Sequence, residues 1–290
     1  MYGNLSYATY NGQGNIILST WDDVGNRVIK RIPHTSRLFI PSSRGSDISI
    51  YGEKLEQINF ENSSKRWKWM EDNPQKKIYE CLNPIQEFLL DEYYGKNSNL
   101  EEFNRFALRV AYLDIEVAVE SEFPEPEKAA YPINMITIFD TQEKMFHTFS
   151  LGRAVITRPD VVFHYCPTEY LLLDSFLKFM DYRKFHVISG WNSYAFDIPY
   201  IYNRICGIAE LGLERALELS PVRKPAREKT FTFGGKGNRS YTGLFIDGVA
   251  QLDYMLLYMK YVIPIEGEKP SYSLNNVCLD EVKEGKTEHE

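Results

Sequence analysis

The sequence has few cysteines, no secretion signal and no long apolar run. Its 290 residues contain 4 cysteines, and no two of them form a CxxC pair. This spacing argues against a structural zinc site and against a disulfide framework. The N-terminus lacks the basic and apolar parts of a signal peptide, and the most apolar stretch, residues 254–265, is too short to span a bilayer. We therefore expect a cytoplasmic protein with no membrane partner.

Basic residues are fewer than acidic ones. The chain has 33 Lys and Arg against 40 Asp and Glu, a formal charge of −7. A protein that coats nucleic acid by bulk charge has the opposite balance, so any contact with nucleic acid is expected to be local. Aromatic residues make up 14% of the chain, which excludes a disordered protein. The length is sufficient for two domains.

The first region, residues 1–106, is predicted to be a small domain with an antiparallel sheet. Residues 5–10, 15–20 and 28–32 are rich in β-formers and are separated by turn residues. Residues 62–95 are highly charged, and we interpret them as helical.

The second region, residues 107–290, has a different pattern. Four segments are predicted as strands: residues 107–119, 133–140, 145–151 and 186–190. Apolar residues at helical spacing predict a helix over residues 170–185, with Thr168 as its N-cap. Another helix is expected to begin after Asp197. This order of elements is typical of an α/β or α+β domain.

Two acids alternate with apolar residues in the first of these strands, Tyr112-Leu113-Asp114-Ile115-Glu116-Val117. Because side chains in a strand alternate between faces, Asp114 and Glu116 point the same way. Two adjacent carboxylates repel each other, and a divalent cation between them makes the arrangement favourable. Oxygen ligands of this kind suit Mg²⁺ or Mn²⁺. The alternative is a solvated strand face, which is common in a chain with 40 acids.

A second motif follows the strand at residues 186–190. Asp197 opens a predicted helix with Pro199 in its first turn. Two roles are open for Asp197: it caps the helix, or its carboxylate projects toward the first strand as a third metal ligand. In the second case, Asn192 and Phe196 would shape the loop or contact a substrate.

Together these passages resemble a known family. Asp-x-Glu on a strand, followed by Asn-x-x-x-Phe-Asp on a strand-to-helix loop, is similar to the first two motifs of the 3′–5′ proofreading exonuclease of family B DNA polymerases. Further stretches resemble the T-even type of bacteriophage enzyme: residues 123–136, 190–204, 220–221, 246–254 and 271–274. The resemblance implies a ribonuclease H-like exonuclease domain with a mixed sheet, preceded by a smaller N-terminal domain.

The resemblance also implies a mechanism. The family removes the 3′-terminal nucleotide of frayed DNA by two-metal hydrolysis. Asp114, Glu116 and Asp197 would be the catalytic ligands of Mg²⁺ or Mn²⁺. Phe123 lies where the family places an aromatic ring against the bases of a single-stranded 3′ end. A simple packing role in a loop is the alternative for Phe123.

A local concentration of positive charge lies in residues 223–239. It contains six cations against the single acid Glu228, a formal +5. Alternating β-formers around a glycine-rich turn predict a hairpin. In the phage enzymes a hairpin at this place helps to separate primer from template. The predicted DNA contacts within it are Arg227, Lys229, Lys236 and Arg239. An ordinary solvated hairpin is the alternative.

The third motif of the family, a tyrosine and an aspartate, is not found. Tyr170 and Asp174 have the required spacing but precede Asp197, and Asp253 lacks the tyrosine. We expect either a truncated chain or, by preference, the N-terminal subunit of a split polymerase, whose C-terminal part completes the active site. Two other functions stay open: a nucleic-acid-binding or structural subunit without activity, and a stand-alone exonuclease.

Overall fold

The computed structural model describes residues 4–22, 27–79, 82–95, 108–119, 123–233 and 239–285. The chain divides into two compact units, Met1–Asn104 and Arg105–Glu290. The division lies close to the change in sequence character at residues 106 and 107. The assignment of each unit to a named domain stays a prediction at this stage.

The first unit begins with a three-stranded antiparallel sheet in the order β1-β2-β3. Its strands are β1 (Asn4–Tyr10), β2 (Gln13–Trp21) and β3 (Arg27–Pro33). Asn11 and Gly12 both have positive φ, 49° and 78°, and Tyr10 pairs with Gln13. A two-residue turn of this kind suits the twist of a hairpin. The predicted N-terminal antiparallel sheet is confirmed.

A second small sheet and two helices complete this unit. Strands β4 (Ser36–Pro41), β5 (Asp47–Ile48) and β6 (Lys54–Phe60) pair in the order β4-β6-β5. Helices α1 (Ser63–Asp72) and α2 (Pro84–Tyr93) follow. Each helix begins after an asparagine, Asn62 or Asn83, whose side chain accepts hydrogen bonds from first-turn amides. The helical interpretation of residues 62–95 is confirmed for residues 63–72 and 84–93, whereas residues 73–79 between them are not helical.

Three buried ionisable side chains link the two helices of the first unit. Arg66 in α1 is 1% exposed, and its Nη1 donates to Glu87 Oε1 in α2 at 2.7 Å. The same nitrogen donates to the carbonyl oxygens of Arg37 and Leu82. Glu87 Oε2 lies 2.9 Å from His34 Nε2. Because a buried charge needs a partner, Glu87 makes the burial of Arg66 possible.

The second unit is built on a six-stranded mixed sheet and a separate hairpin. Its strands are β7 (Val110–Val117), β8 (Ile133–Asp140), β9 (Met145–Ser150), β10 (Val161–Tyr165), β11 (Val187–Gly190), β12 (Arg227–Phe233), β13 (Arg239–Phe245) and β14 (Ala250–Asp253). The sheet order is β10-β9-β8-β7-β11-β14, and β12 pairs with β13 alone. All predicted strands and the predicted hairpin are present.

Three neighbouring strands of this sheet run in the same direction. β11 is parallel to β7 on one side and to β14 on the other. Their carboxyl ends therefore meet at one edge of the sheet, which is where open α/β sheets place their ligands. We call this edge the carboxyl edge. The acids predicted from sequence lie at it or next to it.

Five α-helices lie in the described part of the second unit. They are α3 (Glu169–Arg183), α4 (Asp197–Gly207), α5 (Gly212–Ala216), α6 (Tyr254–Glu266) and α7 (Leu274–Glu281). Thr168 caps α3 as predicted, by accepting from the Leu171 amide. The core includes Leu113 and Ile138 from the sheet, Phe176 from α3 and Tyr200 from α4. Strands β10 and β14 and helices α5, α6 and α7 were not predicted from the sequence.

We expect Glu87→Ala to lower the free energy of unfolding of the full chain by about 3–5 kcal/mol, because Arg66 would stay buried without its carboxylate partner. Urea titration followed by tryptophan fluorescence measures this. The control is Asp91→Ala, on the same helix as Glu87, which removes a carboxylate paired with the partly exposed Arg37 of β4. That change should cost about 1 kcal/mol or less. Equal losses in the two variants would contradict the interpretation.

Candidate active site

Strand β7 presents two acids on one face and apolar side chains on the other. Leu113 and Ile115 are buried, whereas Asp114 and Glu116 are exposed. The alternation of a strand explains this arrangement, since residues 114 and 116 share a face. Both carboxylates therefore lie on the face of β7 that points away from the helix-covered core.

Strand β11 approaches β7 so closely that its last residue has no room for a side chain. A Cβ atom at Gly190 would lie 2.5 Å from the carbonyl oxygen of Leu113 and 2.8 Å from the Cβ of Ser193. This close approach requires glycine, and it starts the following loop directly beside β7. We call residues 191–196 the 191–196 loop. It leads into Asp197, the first residue of α4.

Asp197 lies in the interior and faces strand β7. It is 3% exposed, and its Oδ1 accepts a hydrogen bond of 3.1 Å from the Ile115 backbone N–H. The N-cap of α4 is the preceding Phe196, and no side-chain capping hydrogen bond is made. The structure therefore shows that the Asp197 side chain does not cap its helix and projects toward the first strand, and its role as a metal ligand stays a prediction.

The electrostatics of Asp197 reflect a second carboxylate nearby. The pKa of Asp197 is raised to about 8, first by burial and then by the negative charge of Asp114. The hydrogen bond from the Ile115 amide acts in the opposite direction. A desolvated carboxyl group beside a like charge is costly, unless a proton or a cation neutralises it. Asp114 and Asp197 are thus brought together.

This pair has the donor chemistry of a divalent-cation site. Mg²⁺ and Mn²⁺ prefer carboxylate oxygens, and a cation between Asp114 and Asp197 would remove their repulsion. Glu116 lies on the same face of β7. Within the described ranges, however, no three His, Cys, Asp or Glu side chains converge closely enough to hold a metal ion. The described carboxylates therefore fit part of a divalent-cation site.

Asp253 is an acid of this region that sequence reasoning set aside. It ends β14 opposite Gly190 and caps α6. Its carboxylate accepts backbone N–H bonds from Asn192 and Tyr194 in the 191–196 loop, at 3.2 and 2.9 Å. Burial raises its pKa. Asp253 therefore holds the loop in place, a role visible only once β14 is known to pair with β11.

Asn192 shapes the turn that follows β11. Its φ of 62° lies in the left-handed region, which asparagine tolerates better than most residues. Its carbonyl oxygen accepts from the amides of Ala195 and Phe196. The structure thus assigns Asn192 a part in loop geometry, and its predicted contact with DNA stays a prediction.

Two aromatic residues predicted as DNA contacts are brought together. The ring centroids of Phe123 and Phe196 are 5.5 Å apart, and Phe196 lies 5.7 Å from the ring of Tyr200. Phe123 is 80% exposed. The Phe123 ring therefore contacts Phe196 and still leaves most of its surface open to solvent, and its predicted contact with DNA stays a prediction.

The segment that carries Phe123 is anchored to α4. Asn203 Nδ2 donates to the carbonyl oxygen of Pro126 at 2.9 Å, and the Tyr200 hydroxyl donates to that of Tyr131 at 2.8 Å. Arg204 donates to the carbonyl oxygens of residues 129 and 130. Helix α4 therefore positions both aromatic rings and Asp197.

The predicted basic hairpin is present as β12 and β13, and we call it the β12–β13 hairpin. Arg227 Nη2 lies 2.6 Å from Asp247 Oδ1, and its guanidinium lies over the ring of Phe245. Lys229 is exposed and also lies over Phe245. Lys236 lies outside the described residues, and Arg239 is described by its backbone alone, at the start of β13.

The net charge around the hairpin is lower than the +5 counted along residues 223–239, because acids from other segments lie beside its cations. Asp247 lies 3.8 Å from Lys224 as well as beside Arg227, and Glu218 lies 3.6 Å from Arg223. These acids come from other segments, so a count along residues 223–239 does not include them.

No helix in the described part of the chain is long and apolar enough to cross a membrane.

In metal-free buffer, we expect the free energy of unfolding to fall as pH rises from 5 to 8. Folded Asp197, with a pKa of about 8, keeps a proton that the unfolded chain, with a pKa of 3.8, has released. The slope for one group is at most about 1.4 kcal/mol per pH unit. Urea titrations in EDTA measure it.

Asp197→Asn should flatten this slope, because the amide does not titrate yet keeps an oxygen for the Ile115 N–H. The matched control is Asp181→Asn, at a carboxylate that is 68% exposed on α3, and it should keep the wild-type slope. An unchanged slope in Asp197→Asn would show that another group is responsible.

Comparison with known proteins agrees with this geometry. The family model described as DNA polymerase family B, exonuclease domain, matches residues 69–277. The chain is 30% identical to the DNA-directed DNA polymerase of Escherichia phage RB69, over 98% of this chain and 33% of that protein. It is 26% identical to that of Enterobacteria phage T4, over 97% of this chain and 33% of the relative.

A DNA polymerase of red sea bream iridovirus is 29% identical over 61% of this chain and 18% of that protein. The chain spans about a third of the length of the two phage relatives. Because the family model covers well over half of the sequence, the chain belongs to the exonuclease-domain family of the family B DNA polymerases.

Proposed function

We propose that this chain is the N-terminal and proofreading part of a phage-type family B DNA polymerase, and that it hydrolyses the 3′-terminal nucleotide of DNA. The observation that carries the proposal is the buried Asp197 carboxylate, held by the Ile115 amide beside Asp114. In this proposal, residues 1–106 form the N-terminal domain and residues 107–290 the exonuclease domain.

The proposed metal ligands are Asp114, Glu116 and Asp197. Exonuclease domains of this family generally use divalent metals, and Mg²⁺ or Mn²⁺ suits these oxygen donors. When bound, two such ions would activate the attacking water and stabilise charge on the attacking and leaving oxygens. The chain's own contribution is to hold the carboxylates in place before DNA arrives, with Asp197 oriented by the Ile115 amide and Asp114 by its position on β7.

The proposed substrate is a single-stranded 3′ end. Phe123 and Phe196 offer a ring surface beside Asp197, and stacking on such a surface tolerates any base, as proofreading requires. Asn192, in the turn of the same loop, is proposed as a further contact with the DNA. The phosphates farther along the strand would be contacted by Arg227, Lys229, Lys236 and Arg239 of the hairpin.

The described carboxylates leave a two-metal site incomplete, since no three metal-binding side chains converge in the described ranges. We infer that a further ligand comes from a C-terminal polymerase portion or subunit, because the two phage relatives are about three times as long as the region they share with this chain. The alternative supported by the same observation is a nucleic-acid-binding or structural subunit with no activity of its own.

We expect the full chain to bind a fluorescein-labelled single-stranded DNA more tightly in Mn²⁺ than in EDTA, because a cation between the carboxylates would also contact a DNA phosphate. Asp114→Ala should lose this Mn²⁺-dependent gain. Fluorescence anisotropy measures both, with Asp181→Asn as a control that keeps the gain. If the affinity of the wild type for DNA is the same in Mn²⁺ and in EDTA, the alternative of a binding or structural subunit is favoured.

With Mg²⁺ and single-stranded DNA, the isolated chain should release nucleotides slowly, because its metal site lacks a ligand. Gel analysis of a 5′-labelled oligonucleotide measures the rate. Fast digestion by this chain that Asp114→Ala abolishes would show that no further ligand is needed.

Phe123→Ala should weaken binding of single-stranded DNA by about 5- to 150-fold, since stacking of one base on an aromatic ring contributes about 1–3 kcal/mol. Unfolding free energy should change little, because the ring is 80% exposed. The control is Tyr182→Ala, which removes another exposed ring, on α3. Similar losses of affinity in the two variants would contradict a specific role for Phe123.

A further inference from the structure

The 191–196 loop contacts the β12–β13 hairpin through Tyr194. This side chain is 3% exposed, and its hydroxyl donates a hydrogen bond of 3.2 Å to the carbonyl oxygen of Lys229 in β12. Burial raises the pKa of Tyr194 to about 12, so the hydroxyl stays protonated and can donate. The residue that receives this bond carries one of the hairpin cations.

The other strand of the hairpin packs directly on the same residue. A Cβ atom at Gly243 in β13 would lie 2.0 Å from the carbonyl oxygen of Tyr194 and 2.4 Å from its Cδ1. Such distances leave no space for any side chain, so glycine is required for this contact. Tyr194 therefore contacts both strands, one by a hydrogen bond and one by close packing.

The backbone of Tyr194 is hydrogen-bonded to Asp253 at the end of β14. Its N–H donates to Asp253 Oδ2 at 2.9 Å, and the other carboxylate oxygen accepts from Asn192. Asp253 also accepts from amides in the first turn of α6. Tyr194 is thus attached to the carboxyl edge, three residues before Asp197.

Other described contacts of the hairpin reach different parts of the unit. Arg227 pairs with Asp247, and the Tyr241 hydroxyl lies 3.6 Å from the Met259 sulfur in α6. These contacts join the hairpin to Asp247 and to helix α6. The contact with Tyr194 differs because it joins the hairpin to the loop that leads into Asp197.

We propose that Tyr194 is a positioning residue that sets the distance between Arg227 and Lys229 in β12 and the carboxylates at Asp114 and Asp197. A DNA strand then contacts both elements at the same time. This inference rests on the proposed function for its DNA part. Its structural part, the attachment of the hairpin through Tyr194, is independent of that function.

The test uses Tyr194→Phe in the full chain, which removes the bond to Lys229 and keeps the ring beside Gly243. Amide hydrogen exchange in residues 228–232 and 240–245 should rise about five-fold, the effect of one lost hydrogen bond on local opening. Gly243→Ala should raise it as well. The control is Tyr7→Phe, which removes a hydroxyl that accepts from the Ser63 amide in the first unit.

The DNA readout compares a single-stranded decanucleotide, long enough to reach the hairpin, with a dinucleotide that reaches only the carboxylates. Both are measured in Mn²⁺ by competition with a labelled strand. Tyr194→Phe should weaken the decanucleotide about five-fold and leave the dinucleotide unchanged. A general loosening of the carboxylate region would weaken both.

Unchanged hydrogen exchange in the hairpin of Tyr194→Phe would overturn the inference, and so would an equal loss for the two oligonucleotides. If Lys229→Ala weakens the decanucleotide but Tyr194→Phe does not, the positioning role is wrong while the proposed function stands. If the wild type binds neither oligonucleotide, the proposed function is wrong, and the exchange result then decides the attachment by itself.

Discussion

The hydrogen bond from the Ile115 amide to the Asp197 carboxylate organises the candidate active site. It joins the middle of β7 to the first residue of α4, across the close strand contact that Gly190 permits. The same helix anchors the segment that carries Phe123. If Asp197 moved away from β7, it would separate from Asp114 on that strand, and the aromatic rings would move with it, because α4 carries Asp197 and anchors the segment with Phe123.

Two buried acids in this chain show opposite solutions to the cost of burying charge. Glu87 lies between Arg66 and His34, so its charge is balanced inside the first unit. Asp197 accepts a hydrogen bond from the Ile115 amide, and its pKa is raised first by burial and then by the negative charge of Asp114. The first arrangement stabilises a fold. The second is unfavourable for the fold by itself, and in the proposed function a bound cation would offset its cost.

Much of the fold and of the site could be predicted from local patterns. Alternation placed Asp114 and Glu116 on one face, and helical spacing predicted α3 from the correct cap. The role of Asp253 could not be predicted, because its partners in the 191–196 loop are about sixty residues away and are reached only through the pairing of β11 with β14. The charge of the hairpin was overestimated for the same kind of reason, since Asp247 lies outside the counted segment.

The sequence by itself determined the acids, their alternation with apolar residues, the aromatic at residue 123 and the motif order that resembles the polymerase family. These features depend on neighbours in the chain, whose geometry is set by the period of strand and helix. Only the tertiary structure decided that Asp197 faces β7 and does not cap its helix, and that Tyr194 joins the hairpin to the loop. Those results depend on which strands pair and how closely they approach, and the contacts that decide this are distant in sequence.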